Sequence, residues 1–274
     1  MRNLIGLCEI LLPLLYFGTI WAYARAFFSN IKPAERLRTP LLFTTLAVHA
    51  LYITLRTAEF NHPPITSVFE ILSLIAFTVA FVYSYIELRL KIKSTGYFIL
   101  ILPFFFQLAS SIFIREVTSV PPILQSNLLG VHVSSALLGY AAITISAVYG
   151  FLYLMLYHDI KSSRFGVIYQ RLPNLETLER MSVTATVFGF ILLTIAIVVG
   201  LIWLPRISGG VSYADPKLFG TMGIWLIYAI GLTAKRLKGW QGRKMMVLSM
   251  FGFATAMFSM TFINVFLSSF HKFY

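Results

Sequence analysis

The chain has 274 residues, 58% of them hydrophobic and 12% charged, with a mean hydropathy of +0.81; an ordinary soluble domain carries about 25% charge, so the composition excludes one or two soluble domains and predicts an integral membrane protein. The 22 Lys and Arg against 10 Asp and Glu give +12, which in a soluble chain would point to nucleic acid. A single cysteine, Cys8, excludes an intramolecular disulfide, a CxxC redox motif and a thiolate metal cluster.

Apolar runs long enough to cross a bilayer as helices fall at 4–28, 40–58, 66–88, 95–113, 127–157, 181–204, 218–234 and 245–270. They predict an all-α, polytopic membrane bundle of eight transmembrane helices, with 1–274 as a single transmembrane domain. The first run does not read as a cleavable signal: only Arg2 precedes it, Glu9 and Pro13 interrupt it, and no small-residue cleavage motif follows. The fifth is long enough to tilt or to project beyond the hydrocarbon.

Cytoplasmic loops keep Lys and Arg, whereas translocated loops shed them. The connections after spans 1, 3, 5 and 7 hold 16 of the 22 cations: Arg25, Lys32, Arg36 and Arg38; Arg89, Lys91 and Lys93; Lys161, Arg164, Arg171 and Arg180; and Lys235, Arg236, Lys238, Arg243 and Lys244. This places both termini outside. The inner stretch from Asp159 to Arg180 mixes signs and reads as a surface segment with some helix. The outer connections carry prolines and aromatics, at Asn61-His62-Pro63-Pro64, Val120-Pro121-Pro122 and Trp203 to Lys217, so the outer surface reads as the working face. No internal repeat is strong enough for an inverted-repeat transporter.

Five histidines fall on this topology: His49 mid-span, His62 in the first outer loop, His132 at the outer start of span 5, His158 at the inner end of span 5, and His271 after span 8. Ionisable groups at membrane depth are costly and tend to mark function. His132 and His271 have two readings, as axial ligands of a heme at the outer leaflet or as interfacial residues anchoring helix ends. A heme needs axial ligands, an apolar slot and cations for its propionates. Phe104, Phe105, Phe106, Trp203, Tyr213, Trp225 and Phe270 offer the slot; Arg56, Arg115, Arg206 and Lys217 offer the cations. His49, Tyr52 and Arg56 share one helical face, as a wall of a heme path or as hydrogen-bonding partners of a neighbouring helix. His62 reads as a solvated loop residue or a rival outer ligand, and His158 as a solvated helix end. Glu70 sits where a carboxylate complements a helix N-terminus, with pairing to Arg56 or Arg115 as a variant; Glu9 has no evident partner.

Several strings then occur in a recognisable order. They are Leu129-Gly130-Val131-His132-Val133 with Leu138-Gly139-Tyr140-Ala141, Leu172-Pro173-Asn174-Leu175-Glu176 with Leu178 and Arg180, and Gly189-Phe190 through Gly200-Leu201-Ile202-Trp203. Asp215-Pro216-Lys217, Trp225 to Ala229, Gly239-Trp240-Gln241-Gly242, and Asn264 with His271 and Tyr274 continue the series. Together they resemble the cytochrome c assembly superfamily of heme-handling membrane proteins, which includes the CcsA, CcmC and HemX branches; the resemblance is strongest over 125–274. Less specifically, His49 through His62-Pro63 to Phe69-Glu70 is similar to the corresponding first-half loop. The resemblance implies heme b (iron protoporphyrin IX) held by His132 and His271, with Asp215 and Trp203 in the outer presenting motif and His49 as an intramembrane contact. It also implies a bacterial cytoplasmic (inner) membrane location.

The outer motif reads Ser212-Tyr213-Ala214-Asp215-Pro216-Lys217-Leu218, without the family's tryptophans. Gly231-Leu232-Thr233-Ala234-Lys235 stands where CcsA has a transmembrane histidine. Both departures favour a HemX-like branch and a heme carrier over a synthase, with no catalytic residue assigned. Implied partners are heme, the lipid bilayer, other cytochrome c biogenesis proteins and apocytochrome c, with no nucleic acid. An alternative is a HemX-like membrane regulator of tetrapyrrole biosynthesis, contacting a tetrapyrrole-synthesis enzyme through the basic inner loops. A quinol-oxidising cytochrome ranks lower, because it needs paired histidines at membrane depth and only His49 lies there.

Overall fold

The computed structural model describes residues 1–114, 127–203 and 216–260. These form α1 (Arg2–Ser29), α2 (Lys32–Phe60), α3 (Val68–Leu90), α4 (Gly96–Phe113), α5 (Asn127–Lys161), α6 (Val167–Arg171), α7 (Leu175–Trp203), α8 (Pro216–Lys238) and α9 (Arg243–Phe258). Among the described residues seven helices, α1 to α5, α7 and α8, are long and apolar enough to cross a membrane, and none forms a strand. The chain is a polytopic helical membrane protein. The eighth predicted span, 245–270, begins as α9, and its part from 261 on lies outside the described residues.

Several helices outrun the apolar windows. The second was expected from 40, after the charged stretch, yet α2 begins at Lys32. Pro33 lies in its first turn, where a proline gives up no helical hydrogen bond, and Pro40 is carried inside the helix. Likewise α7 starts at Leu175 rather than 181: Asn174 caps it, its Oδ1 accepting the Thr177 N–H at 2.9 Å. At 35 residues, α5 is about 52 Å long at the usual rise, which exceeds the roughly 30 Å of hydrocarbon. The mixed-charge stretch after α5 does contain a short helix, α6.

By internal packing the chain falls into two compact units, Met1–Val120 with Ser162–Pro173, and Pro121–Lys161 with Asn174–Tyr274. In the first, α1 packs on α2 and α4, and α3 on α2 and α4. Its apolar centre includes Leu12, Leu42, Ile75, Ile99 and Leu100, all fully buried. Bulky residues such as Trp21, Phe81 and Phe105 are bare on its outside, the arrangement expected where lipid is the solvent. The C-terminus of α1 turns through Asn30 in the left-handed region (φ 54°), and Arg171 of α6 donates from Nη1 to the Ala26 carbonyl at 3.0 Å and also to that of Phe27. A cation at these end carbonyls opposes the negative end of the helix dipole.

In the second unit α5 packs on α7 and α9, with α8 against α7 and α9. Helices in lipid gain little from the hydrophobic effect and associate through close backbone approach and interhelical hydrogen bonds. Both are present. Gly139 and Gly189 sit at the α5–α7 crossing, where a Cβ on Gly189 would fall 2.6 Å from Ile143 Cγ2 and 3.4 Å from the Gly139 oxygen. One turn along, Ser146 Oγ lies 2.7 Å from Thr186 Oγ1, 2.7 Å from Ser249 Oγ and 2.8 Å from the Ser182 carbonyl, joining α5, α7 and α9 through buried hydroxyls.

Gly189→Ala is expected to lower the unfolding midpoint in detergent by the equivalent of about 1–3 kcal/mol of overpacking. Gly130→Ala, on the same helix as Gly139 but with open space around its Cβ, is expected to be neutral or to stabilise by up to about 1 kcal/mol. Equal thermal midpoints for the two variants would contradict the close crossing.

Candidate functional site

His132 lies on the first turns of α5, partly exposed, with its ring against α7. Its Nδ1 stands 2.7 Å from the Ala196 carbonyl oxygen. A carbonyl only accepts, so Nδ1 carries the proton and the ring's lone pair resides on Nε2. Gly200, one turn beyond Ala196, makes room: a Cβ there would lie 2.9 Å from Nδ1 and 3.0 Å from Cε1. A backbone carbonyl that fixes tautomer and orientation through Nδ1 is the usual support of an imidazole that ligates metal through its other nitrogen. His132 therefore suits an axial-ligand role. The residues expected beside it, Arg115, Asp215 and His271, lie outside the described residues, and Trp203 is the last residue of α7.

Trp225, expected as part of an aromatic wall, instead ties α8 to α7: its Nε1 donates to Thr194 Oγ1 at 2.8 Å and its ring stacks on Phe190, centroids 5.3 Å apart. Further along the unit, the Leu172 to Arg180 string meets the Gly239 to Gly242 string. Glu179 on α7 accepts the Gly242 N–H at 2.7 Å, so two motifs more than sixty residues apart in sequence share one turn.

The first unit holds the other expected residues in two clusters. Arg56, almost fully buried, donates from Nε and Nη2 to Glu70 Oε1 at 3.1 and 2.9 Å, and from Nη1 to Glu9 Oε1 at 3.1 Å. Tyr52 adds a hydrogen bond to Glu9 at 3.2 Å. Glu70 also performs the helix-start role expected of it: Ser67 Oγ accepts the Glu70 N–H at 3.1 Å, and Glu70 Oε2 reaches back to Thr66 N and Oγ1, both at 2.7 Å. This resembles a capping box with one added guanidinium. Glu9, which had no partner by sequence, thus meets Arg56 and Tyr52, and Arg56, expected as a propionate cation, is already faced by two carboxylates.

His49 is fully buried, and both of its ring nitrogens are engaged: Nδ1 lies 3.0 Å from Tyr16 Oη and Nε2 3.0 Å from Ser73 Oγ, which donates onward to Gln107 Oε1 at 2.8 Å. In this arrangement neither nitrogen faces open space, and the ring ties α2 to α1 and α3. The helix-to-helix reading describes it. His62 is corrected: it is buried rather than solvated, with Nδ1 2.9 Å from the Pro63 carbonyl. His158 is exposed, as expected of a solvated helix end.

Sequence reading missed Glu87. It is buried at the far end of α3 from Glu70 and accepts from Tyr23 at 2.5 Å, Tyr83 at 2.8 Å and Thr39 at 2.7 Å, with Lys93 Nζ 3.8 Å away. A tyrosine four residues upstream was the available signal, masked by the basic stretch Arg89 to Lys93 that makes the segment read as surface.

The family described as "Cytochrome C assembly protein" matches residues 35–271. The chain belongs to the cytochrome c assembly protein family. Among its relatives, "Cytochrome c biogenesis protein CcsA" of Pyropia yezoensis is 27% identical over 267 residues, covering 82% of this chain and 83% of that one. The protein of the same name from Heterosigma akashiwo is 27% identical over 241 residues, 74% of each. "Protein HemX" of Brevibacillus brevis is 26% identical over 227 residues, 80% of each.

In this cytochrome c assembly protein, Arg56→Ala strands Glu70 in a buried site and is expected to destabilise by about 3–5 kcal/mol. The Arg56→Met/Glu70→Leu pair is expected to lose less than Arg56→Ala alone. Denaturant or thermal unfolding of the three proteins checks the order, and a double variant weaker than the single one would contradict the pairing.

Proposed function

We propose that this protein handles heme in c-type cytochrome biogenesis, holding heme b near the outer face of a bacterial cytoplasmic membrane between His132 and His271 and passing it on. The observation that carries the reading is the His132 Nδ1 to Ala196 carbonyl contact at 2.7 Å, which commits the second nitrogen to the lone-pair role an axial ligand needs. Membership of the cytochrome c assembly family supports the ligand class. The cation distribution supports a topology of eight spans with both termini outside, in which His132 and His271 would share one side.

Heme iron, as cargo, supplies two axial positions for imidazole nitrogens. The residues of the chain do the rest. Ala196 and Gly200 orient His132; Trp203 and Asp215 are assigned to the outer presenting motif, and Arg115 to a propionate. Arg56, whose charge Glu9 and Glu70 already meet, is assigned to fixing the corner between α2 and α3. No bond of the cargo needs to break, so transfer is an exchange of ligands at iron.

A second reading, a membrane regulator of tetrapyrrole synthesis, is favoured by the match to Protein HemX and by the exposed cations Lys238, Arg243 and Lys244. Neutralising these three is expected to change heme-precursor levels under that reading and to leave them unchanged under the first.

Visible spectra of the purified, heme-loaded protein test the site. His132→Gly and His271→Gly are each expected to lose the six-coordinate bis-histidine bands, and added imidazole to restore them. Gly200→Val, which crowds the ring, is expected to weaken heme binding by about 10–100-fold. Unchanged, fully loaded bis-histidine spectra in both glycine variants would falsify the site.

A further inference from the structure

A groove of about 790 Å³ lies on the second unit at the turn between α8 and α9. Its rim holds Lys238, Arg243 and Lys244, and its floor runs over Val247, Leu248 and Phe251. None of its described lining residues is acidic. Glu179, the acid of α7 that reaches this turn, accepts the Gly242 N–H.

The turn itself concentrates the charge. Gly239 and Gly242 both adopt left-handed φ, +64° and +57°, a conformation other residues resist. The four-residue connection therefore folds back tightly and sets the last cation of α8 beside the first two of α9. Trp240 stands among them, with Lys244 Nζ 5.9 Å from its ring centroid. Three like charges held at one rim repel each other, and an anion between them relieves that repulsion. The positive end of α9 adds to the same field.

The other half of the groove asks for something different. Val247 is 48% exposed and Phe251 62% exposed, and Phe251 lies eight residues from Arg243, about 12 Å along the helix. An inorganic anion would leave this apolar strip bare. We propose that the groove binds an anionic phospholipid, its phosphate among Lys238, Arg243 and Lys244 and an acyl chain along Val247 and Phe251. Basic pockets at helix ends on the cation-rich side of a membrane protein suit such lipids. No residue of this site is shared with the proposed heme site, so the two stand or fall separately.

Trp240 is a built-in reporter. The full chain is placed in mixed micelles with phosphatidylglycerol or phosphatidylcholine brominated on the acyl chains, and the Trp240 signal is obtained by difference from Trp240→Phe. Phosphatidylglycerol is expected to quench at an apparent affinity at least about fivefold higher, the worth of one surface cation. The preference should vanish in Lys238→Gln/Arg243→Gln/Lys244→Gln, and in wild type it should shrink as salt rises from about 0.05 to 0.5 M. Inorganic phosphate at about 10 mM should leave quenching in place. Equal quenching by the two lipids, a preference retained in the triple variant or at high salt, or full displacement by inorganic phosphate, which would mark a free-anion site, overturns the proposal.

Discussion

Hydrocarbon offers no hydrogen bonds, so a polar side chain carried into a transmembrane helix must be met by another protein group. The rest of the structure follows from that constraint. Arg56 is met by Glu70 and Glu9, His49 by Tyr16 and Ser73, Glu87 by Tyr23, Tyr83 and Thr39, and Ser146 by Ser182, Thr186 and Ser249. Apart from Tyr83 to Glu87 within α3, these contacts bridge separate helices, so the cost of burying a polar group is converted into specification of which helices touch and in what register. Apolar packing alone would leave such helices free to rotate, because lipid tails are as apolar as their side chains.

The same constraint distinguishes the surroundings of His49 and His132. His49 has both nitrogens engaged by hydroxyls and serves the bundle. His132 directs Nδ1 to the carbonyl of Ala196, a buried residue within α7, and a glycine one turn on admits the ring edge. At His132 the carbonyl puts the proton on Nδ1, whereas at His49 the Ser73 hydroxyl, its own proton given to Gln107, accepts from Nε2 and Tyr16 donates to Nδ1, so both nitrogens are used within the bundle. That difference, rather than depth in the membrane, makes His132 the stronger ligand candidate.

Legibility in the sequence varied with the range of the interaction. The presence and type of the long helices could be read because apolar composition over twenty residues is a summed, local property. Where α2 and α7 begin could not: both start inside charged sequence, ahead of the apolar run, since helix initiation there depends on caps such as Asn174 and on a tolerant first-turn proline. Glu70 was legible as a helix-start acid, because Ser67 stands three residues before it. The partnership of Glu9 with Arg56, forty-seven residues away, was not, and Glu87 disappeared into a basic stretch.

What the sequence by itself determined is the solvent of the protein, its helical class and its family, because hydropathy and ordered motifs are properties of the chain read in one dimension. His132 as a candidate ligand also came from that reading. Only the tertiary structure decided how the buried charges are matched, that His49 is occupied, that Gly200 and Ala196 set the His132 ring, and that two glycine-held helix ends gather three cations over an apolar strip. Those facts depend on which faces of separate helices meet at distances of 3 Å, and no periodicity along a single helix encodes its neighbour.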